Sequence, residues 1–202
     1  MALYYGMTTL MDKNIGRILD KLDELGLAEN TLVVFTSDHG HFLGQHGLWA
    51  KGPFHYEDLV RVPFLVRHPH QTQRGAQSDA LQSLVDLAPS FLEFAGAPVP
   101  GAMQGVSQNA VWRGETEAVR EAALVEFQHQ PTKLHLQTLV TPTHKLTIYR
   151  GASYGEIYDL QHDPNERHNL WDDVALRGRL LEEMAQADLA RQTPPVPRIA
   201  HA

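Results

Sequence analysis

The apolar positions along the chain change their period several times, and each change marks an element. Across residues 4–25, Met7, Leu10, Met11, Ile15, Ile18, Leu19, Leu22 and Leu25 recur at spacings of three and four, the stripe of an amphipathic helix that Gly26 ends. Such a stripe is expected to cover a sheet face. Residues 31–36 (Thr-Leu-Val-Val-Phe-Thr) are a short, continuous run of apolar and β-branched residues, the pattern of a central strand buried on both faces. A helix followed by a buried strand indicates an α/β arrangement. Residues 62–67 read as a second strand. Residues 78–95 read as a helix offering Leu81, Leu84, Val85, Leu87, Leu92 and Phe94 to the core, with Ser78 as its N-cap and Gly96 as its stop.

Periodicity lapses between residues 98 and 114, where Gly, Pro, Gln and Ser predict a long surface connection dividing two lobes. Beyond it, residues 122–127, 134–141, 144–150 and 156–160 carry strand patterns. The turns between them are Thr141-Pro142-Thr143-His144 and Gly151-Ala152-Ser153-Tyr154-Gly155. Four closely spaced strands predict a small antiparallel sheet. A last helix is expected over residues 173–190, and the tail from Thr193, with Pro194, Pro195 and Pro197, is expected to be loose or docked as an extended strap. The predicted division is therefore residues 1–114, part of an α/β core, and residues 115–202, a small α+β subdomain with its tail.

Composition adds limits rather than chemistry. With 202 residues, 43% of them hydrophobic, the chain can bury a sizeable core. Its formal charge of −7 is spread without a block of like charge, so neither a nucleic acid nor a membrane surface is an expected partner. No apolar run approaches the roughly 20 residues that span a bilayer, and no basic stretch leads into an apolar segment at the start, which makes the cytoplasm the default expectation. The absence of cysteine excludes disulfides, thiolate metal sites and a cysteine nucleophile within these residues.

Histidine is where composition does change the picture. Six of the twelve histidines (His39, His41, His46, His55, His68 and His70) fall within residues 39–70, immediately after the first strand. Ligands of open α/β sheets bind at the carboxyl ends of strands, and Asp38 and His39 stand at such an end, followed by Gly40, which permits a sharp backbone turn. The carboxylate offers a hard oxygen and the imidazole a nitrogen to a divalent cation; equally, Asp38 can cap a turn and His39 can be a surface residue. Lys51, in Gly47-Leu48-Trp49-Ala50-Lys51-Gly52, sits in a loop able to fold back towards the strand end. A lysine there suits a tetrahedral oxyanion beside a metal. His46 can donate to the same anion, serve as general acid on a leaving oxygen, or be a plain loop residue. His41 and His55 are weaker candidates, and His68 and His70, beside Pro69, read as surface groups.

These residues together resemble a known family. Thr36-Ser37-Asp38-His39-Gly40, Leu43-Gly44-Gln45-His46-Gly47-Leu48-Trp49-Ala50-Lys51-Gly52, Glu57 and Arg61-Val62-Pro63-Phe64 resemble the C-terminal half of the catalytic core of type I sulfatases in the alkaline phosphatase superfamily. Upstream, Met11-Asp12-Lys13-Asn14-Ile15-Gly16-Arg17-Ile18-Leu19 is similar to the segment before that strand. Downstream, Ile157-Tyr158-Asp159-Leu160, Asp163-Pro164, Glu166 and Asn169-Leu170 resemble the family's closing hairpin. The resemblance covers about residues 4–171. It implies an alkaline-phosphatase-like sandwich with a mostly parallel sheet, followed by the four-stranded antiparallel sheet packed with a helix.

For function, the resemblance implies metal-dependent hydrolysis of sulfate esters, with Asp38 and His39 as metal ligands and Lys51 and His46 as catalytic and sulfate-binding residues. It implies one divalent cation, Ca²⁺ by family, with Mn²⁺, Mg²⁺ or Zn²⁺ as alternatives; by ligand softness the imidazole of His39 favours Mn²⁺, Fe or Zn²⁺. Histidine at this position is similar to choline-sulfatase-like and phosphonate-monoester-hydrolase-like branches, so phosphonate monoester or phosphodiester hydrolysis is the alternative chemistry, and a non-catalytic remnant the alternative class. The sequence departs from the family in two respects. It has no cysteine, and none of its six serines begins the Cys/Ser-x-Pro/Ala-x-Arg motif that becomes formylglycine. Its one adjacent aspartate pair, Asp172-Asp173, opens the last helix and reads as a cap. The expectation is a C-terminal portion whose partners are a sulfate-ester substrate and either the N-terminal half carrying the formylglycine or an oligomer partner.

Overall fold

A computed structural model describes residues 1–72, 74–129 and 133–190; the expected strap after Thr193 lies outside the described residues. Helix α1 spans Ala2–Glu24 and ends in a Schellman motif, in which Gly26 (φ 68°) donates to the Asp23 carbonyl and Leu27 to the Leu22 carbonyl. The helix is where periodicity placed it. Its surroundings are not, because no residue of α1 is buried and Met7, Leu10, Met11 and Ile18 of its apolar stripe are more than half exposed. The sheet face that the stripe was expected to cover is absent among the described residues.

Strand β1 (Val33–Thr36) pairs with β4 (Phe64–Arg67), and the pair is antiparallel, with Thr36 opposite Phe64. No parallel neighbour of β1 lies among the described residues, and β1 is half-buried rather than enclosed on both faces. Between them, β2 (Phe42–Leu43) and β3 (Trp49–Ala50) form a small hairpin, and one turn of helix, α2 (Glu57–Val60), leads into β4. The helix expected over residues 78–95 is shorter. A 3₁₀ turn, Leu84–Asp86, precedes α3 (Leu87–Phe94), and Ser83 with Asp86 forms the capping box that starts the turn. Ser78 therefore caps no helix, while Gly96 (φ 69°) does end one.

The segment expected to be a surface connection is exposed over residues 98–102, and its second half is anchored inward. Helix α4 (Asn109–Trp112) is buried together with Gln108, because the buried carboxylate of Asp86 gathers this stretch: it accepts from the Val106 N–H (2.9 Å), Gln108 Nε2 (2.9 Å) and Arg120 Nε (3.0 Å). A buried charge with that many donors is held rather than penalised.

Strands β5 (Ala123–His129), β6 (Leu134–Val140), β7 (His144–Tyr149) and β8 (Gly155–Asp159) form the expected antiparallel meander, and α5 (Val174–Ala190) packs on one face. Asp173 accepts the Leu176 N–H at the start of α5, as the cap reading required. In register, Leu139, Leu146 and Ile157 form one row, fully buried against Leu180 and Met184. Alternation puts Thr138, Lys145, Thr147, Glu156 and Tyr158 on the opposite face. That face is buried too, against residues 55–57, and its polar groups are consequently paired.

Candidate functional site

The hairpin register explains how a lysine reaches the end of β1. Phe42 pairs with Ala50, so the chain leaving β3 returns beside the residues that enter β2. Phe42 is buried and packs edge-on against Phe54 and Tyr56, which fixes the hairpin to the body of the protein. Lys51 then places Nζ 3.3 Å from Nε2 of His39, twelve residues earlier. Gly40 sits where no side chain fits: a Cβ would lie 1.9 Å from the Asp58 carbonyl oxygen, and the Gly40 N–H donates to the Leu59 carbonyl at 2.8 Å. The strand end is thus clamped to α2.

Asp38 and His39 have the donor arrangement of a partial metal shell. His39 Nδ1 lies 2.8 Å from the Gly40 carbonyl, a contact in which Nδ1 donates, so that in the neutral imidazole Nε2 is the lone-pair atom. Nε2 faces Asp38 Oδ2 at 3.5 Å. The other oxygen, Oδ1, accepts the His39 backbone N–H (3.0 Å) and the Ser37 hydroxyl (3.3 Å). The backbone donor from His39 holds the Asp38 carboxyl below the usual carboxylate range. Asp38 is mostly exposed, so Oδ2 remains open to a ligand. One carboxylate oxygen and one imidazole nitrogen fit a divalent cation as part of its shell. Among the described residues no group of three or more His, Asp or Glu side chains could hold a metal, so this pair is not a complete site.

His46 occupies a different place. It lies in the 3₁₀ turn Gln45–Gly47 at the tip of the hairpin, and Gly44 (φ 116°), His46 (φ 53°) and Gly47 (φ 70°) all take left-handed backbone. Its polar and ring contacts are with Tyr56, stacked at 3.8 Å and 6°, and with Asp58, whose Oδ2 is 3.9 Å from Nε2. The structure therefore brings Asp38, His39 and Lys51 together, whereas the contacts of His46 are with Tyr56 and Asp58.

The remaining four histidines of residues 39–70 have partners of their own. His41 rests on Tyr4 and meets Trp49 edge-on. His55 is buried, its Nδ1 2.7 Å from Thr138 Oγ1, and burial with Lys145 nearby pushes its imidazole down to about 4. His68 is not the surface group expected from Pro69: it is 4% exposed and packs against Phe94, whereas His70 does stay outside and pairs with Glu29.

Three residues of the segment 55–60 carried no separate signal in the sequence. Glu57, noted there within a motif, accepts from Lys145 Nζ at 3.1 Å; Lys145 also pairs closely with Glu166, whose Oε2 accepts the Glu57 backbone N–H at 2.6 Å. Burial pushes the Glu166 carboxyl up, while Lys145 opposes that shift. Tyr56 donates to Glu156 Oε1 (3.1 Å) and Asp58 faces His46. Tyr56 and Glu57 depend on partners far away in the chain and Asp58 on the fold of the hairpin, so no local pattern announces them.

Comparison with known proteins identifies the family. Residues 44–192 match the family described as N-sulphoglucosamine sulphohydrolase, C-terminal, and residues 6–80 match type I phosphodiesterase / nucleotide pyrophosphatase. An N-acetylglucosamine-6-O-sulfatase of Bacteroides thetaiotaomicron is 35% identical over 178 residues, covering 85% of this chain and 32% of the relative. A solved complex of a protein with its substrate D-glucosamine-2-N,6-O-disulfate superposes with a TM-score of 0.83 at 33% identity, covering 89% of this chain and 38% of that one. A phosphonate monoester hydrolase from Silicibacter pomeroyi superposes with a TM-score of 0.79 at 25% identity, over 90% of this chain and 40% of that one. The chain spans about a third of the length of the curated relatives it matches.

Proposed function

The chain belongs to the sulfatase family of the alkaline phosphatase superfamily, matching its C-terminal portion, and from that premise we propose that it supplies the anion-binding and part of the metal-binding half of a sulfate-ester hydrolase. The observation that carries this reading is the convergence of Asp38 Oδ2, His39 Nε2 and Lys51 Nζ at the carboxyl end of β1. Asp38 and His39 would hold the divalent cation together with ligands from outside these residues. When bound, that cation supplies Lewis-acid neutralisation of the charge on the substrate oxygens. Lys51 contributes a compact positive charge to the sulfate, and His46 a proton for the leaving oxygen. One relative is named an N-acetylglucosamine-6-O-sulfatase and one solved relative holds D-glucosamine-2-N,6-O-disulfate as its substrate, and a sulfated sugar is the substrate class proposed here.

The proposed partner of the chain is the nucleophile-bearing N-terminal portion found in the longer relatives. Two features support it: the uncovered stripe of α1, and a cavity of about 400 Å³ lined by Leu32, Val34, Phe91 and Phe94 beside the open face of β1. Apolar surface of that extent marks a contact site. A second reading, phosphonate monoester hydrolysis, rests on the Silicibacter pomeroyi likeness and on the shared tetrahedral shape of the anions.

Hydrolysis of 4-nitrophenyl sulfate and of 4-nitrophenyl phenylphosphonate, measured with the nucleophile-bearing portion present, separates the two. Turnover of the sulfate alone supports the first reading and of the phosphonate alone the second. Turnover of either that survives both Asp38→Ala and Lys51→Ala would remove the site assignment.

A further inference from the structure

His46 is held in an uncommon way for a loop residue. A non-glycine residue in the left-handed region costs on the order of 1 kcal/mol, and such conformations persist where the surroundings over-determine them. Here the hairpin tip takes left-handed backbone at Gly44, His46 and Gly47, and the imidazole it presents lies flat on Tyr56, centroids 3.8 Å apart and planes within 6°. A parallel stack fixes the plane of the ring and leaves its edge nitrogens free to point outward.

Tyr56 is itself fixed from behind. Its hydroxyl donates to Glu156 Oε1 on β8 at 3.1 Å, and the second oxygen of that carboxylate accepts the Tyr149 hydroxyl at 3.1 Å. Burial and the Glu156 charge push the Tyr56 phenol up, so it remains a donor. The residues on either side of Tyr56 point into the same sheet: His55 meets Thr138, and Glu57 meets Lys145. Tyr56 alone of the three turns towards the hairpin tip as well.

We propose that Tyr56, braced by Glu156, is a positioning residue that sets the plane of the His46 imidazole, so that the C-terminal sheet orients the proton donor of a site whose metal and anion groups lie on the other part of the chain. This inference rests on the role given to His46 above. It assigns a task to a sheet that carries no group of the reaction itself.

The test is NMR of the histidine side chains in the 202-residue chain, with His46 assigned by its loss in His46→Gln. In the wild type the stacked phenol ring shifts the His46 ring protons upfield. Tyr56→Phe keeps a partial shift with broadened His46 signals, because the aromatic face remains while the bond to Glu156 is lost, whereas Tyr56→Leu abolishes it while the methyl signals of Leu139, Leu146 and Ile157 stay in place. Glu156→Gln keeps a partial shift with broadened His46 signals, since the brace is weakened and the stack is retained. A wild-type His46 without an upfield shift, or one whose shift persists in Tyr56→Leu, overturns the proposal. Addition of inorganic sulfate separates the two levels: loss of any sulfate response at both Lys51 and His46 contradicts the anion-site reading, and the Tyr56-dependent shift is read independently of it.

Discussion

The two parts of this molecule differ in how they are closed. In the C-terminal sheet, Leu139, Leu146 and Ile157 on one face are sealed by α5, and Lys145, Thr138 and Thr147 on the other are sealed by residues 55–57. In the part before it, the polar end of β1 is formed to within hydrogen-bonding distance, while α1 leaves its apolar stripe in solvent and β1 has one strand neighbour among the described residues. A region can therefore present well-placed chemistry before its hydrophobic faces are covered. The difference arises because the site groups are held locally, by the hairpin register and the Gly40 clamp, whereas burial of α1 needs surface from elsewhere.

The comparison is broken most severely at the ion cluster joining the parts. Lys145→Ala leaves the buried Glu166 carboxylate unpaired and is expected to cost about 3–5 kcal/mol in denaturant unfolding; a loss under 1 kcal/mol would mean that the two parts are not coupled through it. Within the closed sheet, Leu146→Ala is expected to cost roughly 2–5 kcal/mol, since its side chain is fully buried. The same truncation on the open helix, Leu10→Ala, is expected to stay within about 0.5 kcal/mol for the chain alone. Equal costs at the two positions would erase the distinction between the parts.

Acid sharpens the contrast next. His55 resists protonation down to about 4 in the folded state, against 6.5 for the free group. Between those values the unfolded chain binds the proton and the folded chain does not, so stability is fully present above pH 6.5 and falls as pH drops towards 4. The expected loss is roughly 3 kcal/mol, and His55→Gln should flatten that slope in unfolding curves recorded across the interval. Smallest of all is the effect at the site: Asp38→Ala removes an exposed carboxylate and is expected to leave the unfolding midpoint unchanged, measured by the same unfolding curves.

The sequence made the C-terminal sheet legible because its alternation has period two and each strand meets its neighbour within a short turn; the four strands lie within a residue or two of the expected bounds. It made α1 legible as a helix, and not its setting, because periodicity reports a face without reporting what covers it. Over residues 78–95 apolar content outweighed a local signal that was available, the Ser83-x-x-Asp86 capping box. At the site, Asp38, His39 and Lys51 were visible as types and spacing. Tyr56, Asp58 and Glu156 were not, since the stack and the His46–Asp58 pair depend on how the hairpin folds back and the Tyr56–Glu156 bond joins residues a hundred positions apart.

The account turns on Asp38, His39 and Lys51 acting as one cation and anion site. Titration of the 202-residue chain with Mn²⁺ and then with inorganic sulfate, followed by NMR, tests that most directly. The predicted result is that Mn²⁺ broadens Asp38 and His39 first, that sulfate shifts Lys51 saturably, and that Asp38→Ala removes the former and Lys51→Ala the latter. Broadening centred on other carboxylates, or sulfate shifts unchanged by Lys51→Ala, would contradict it.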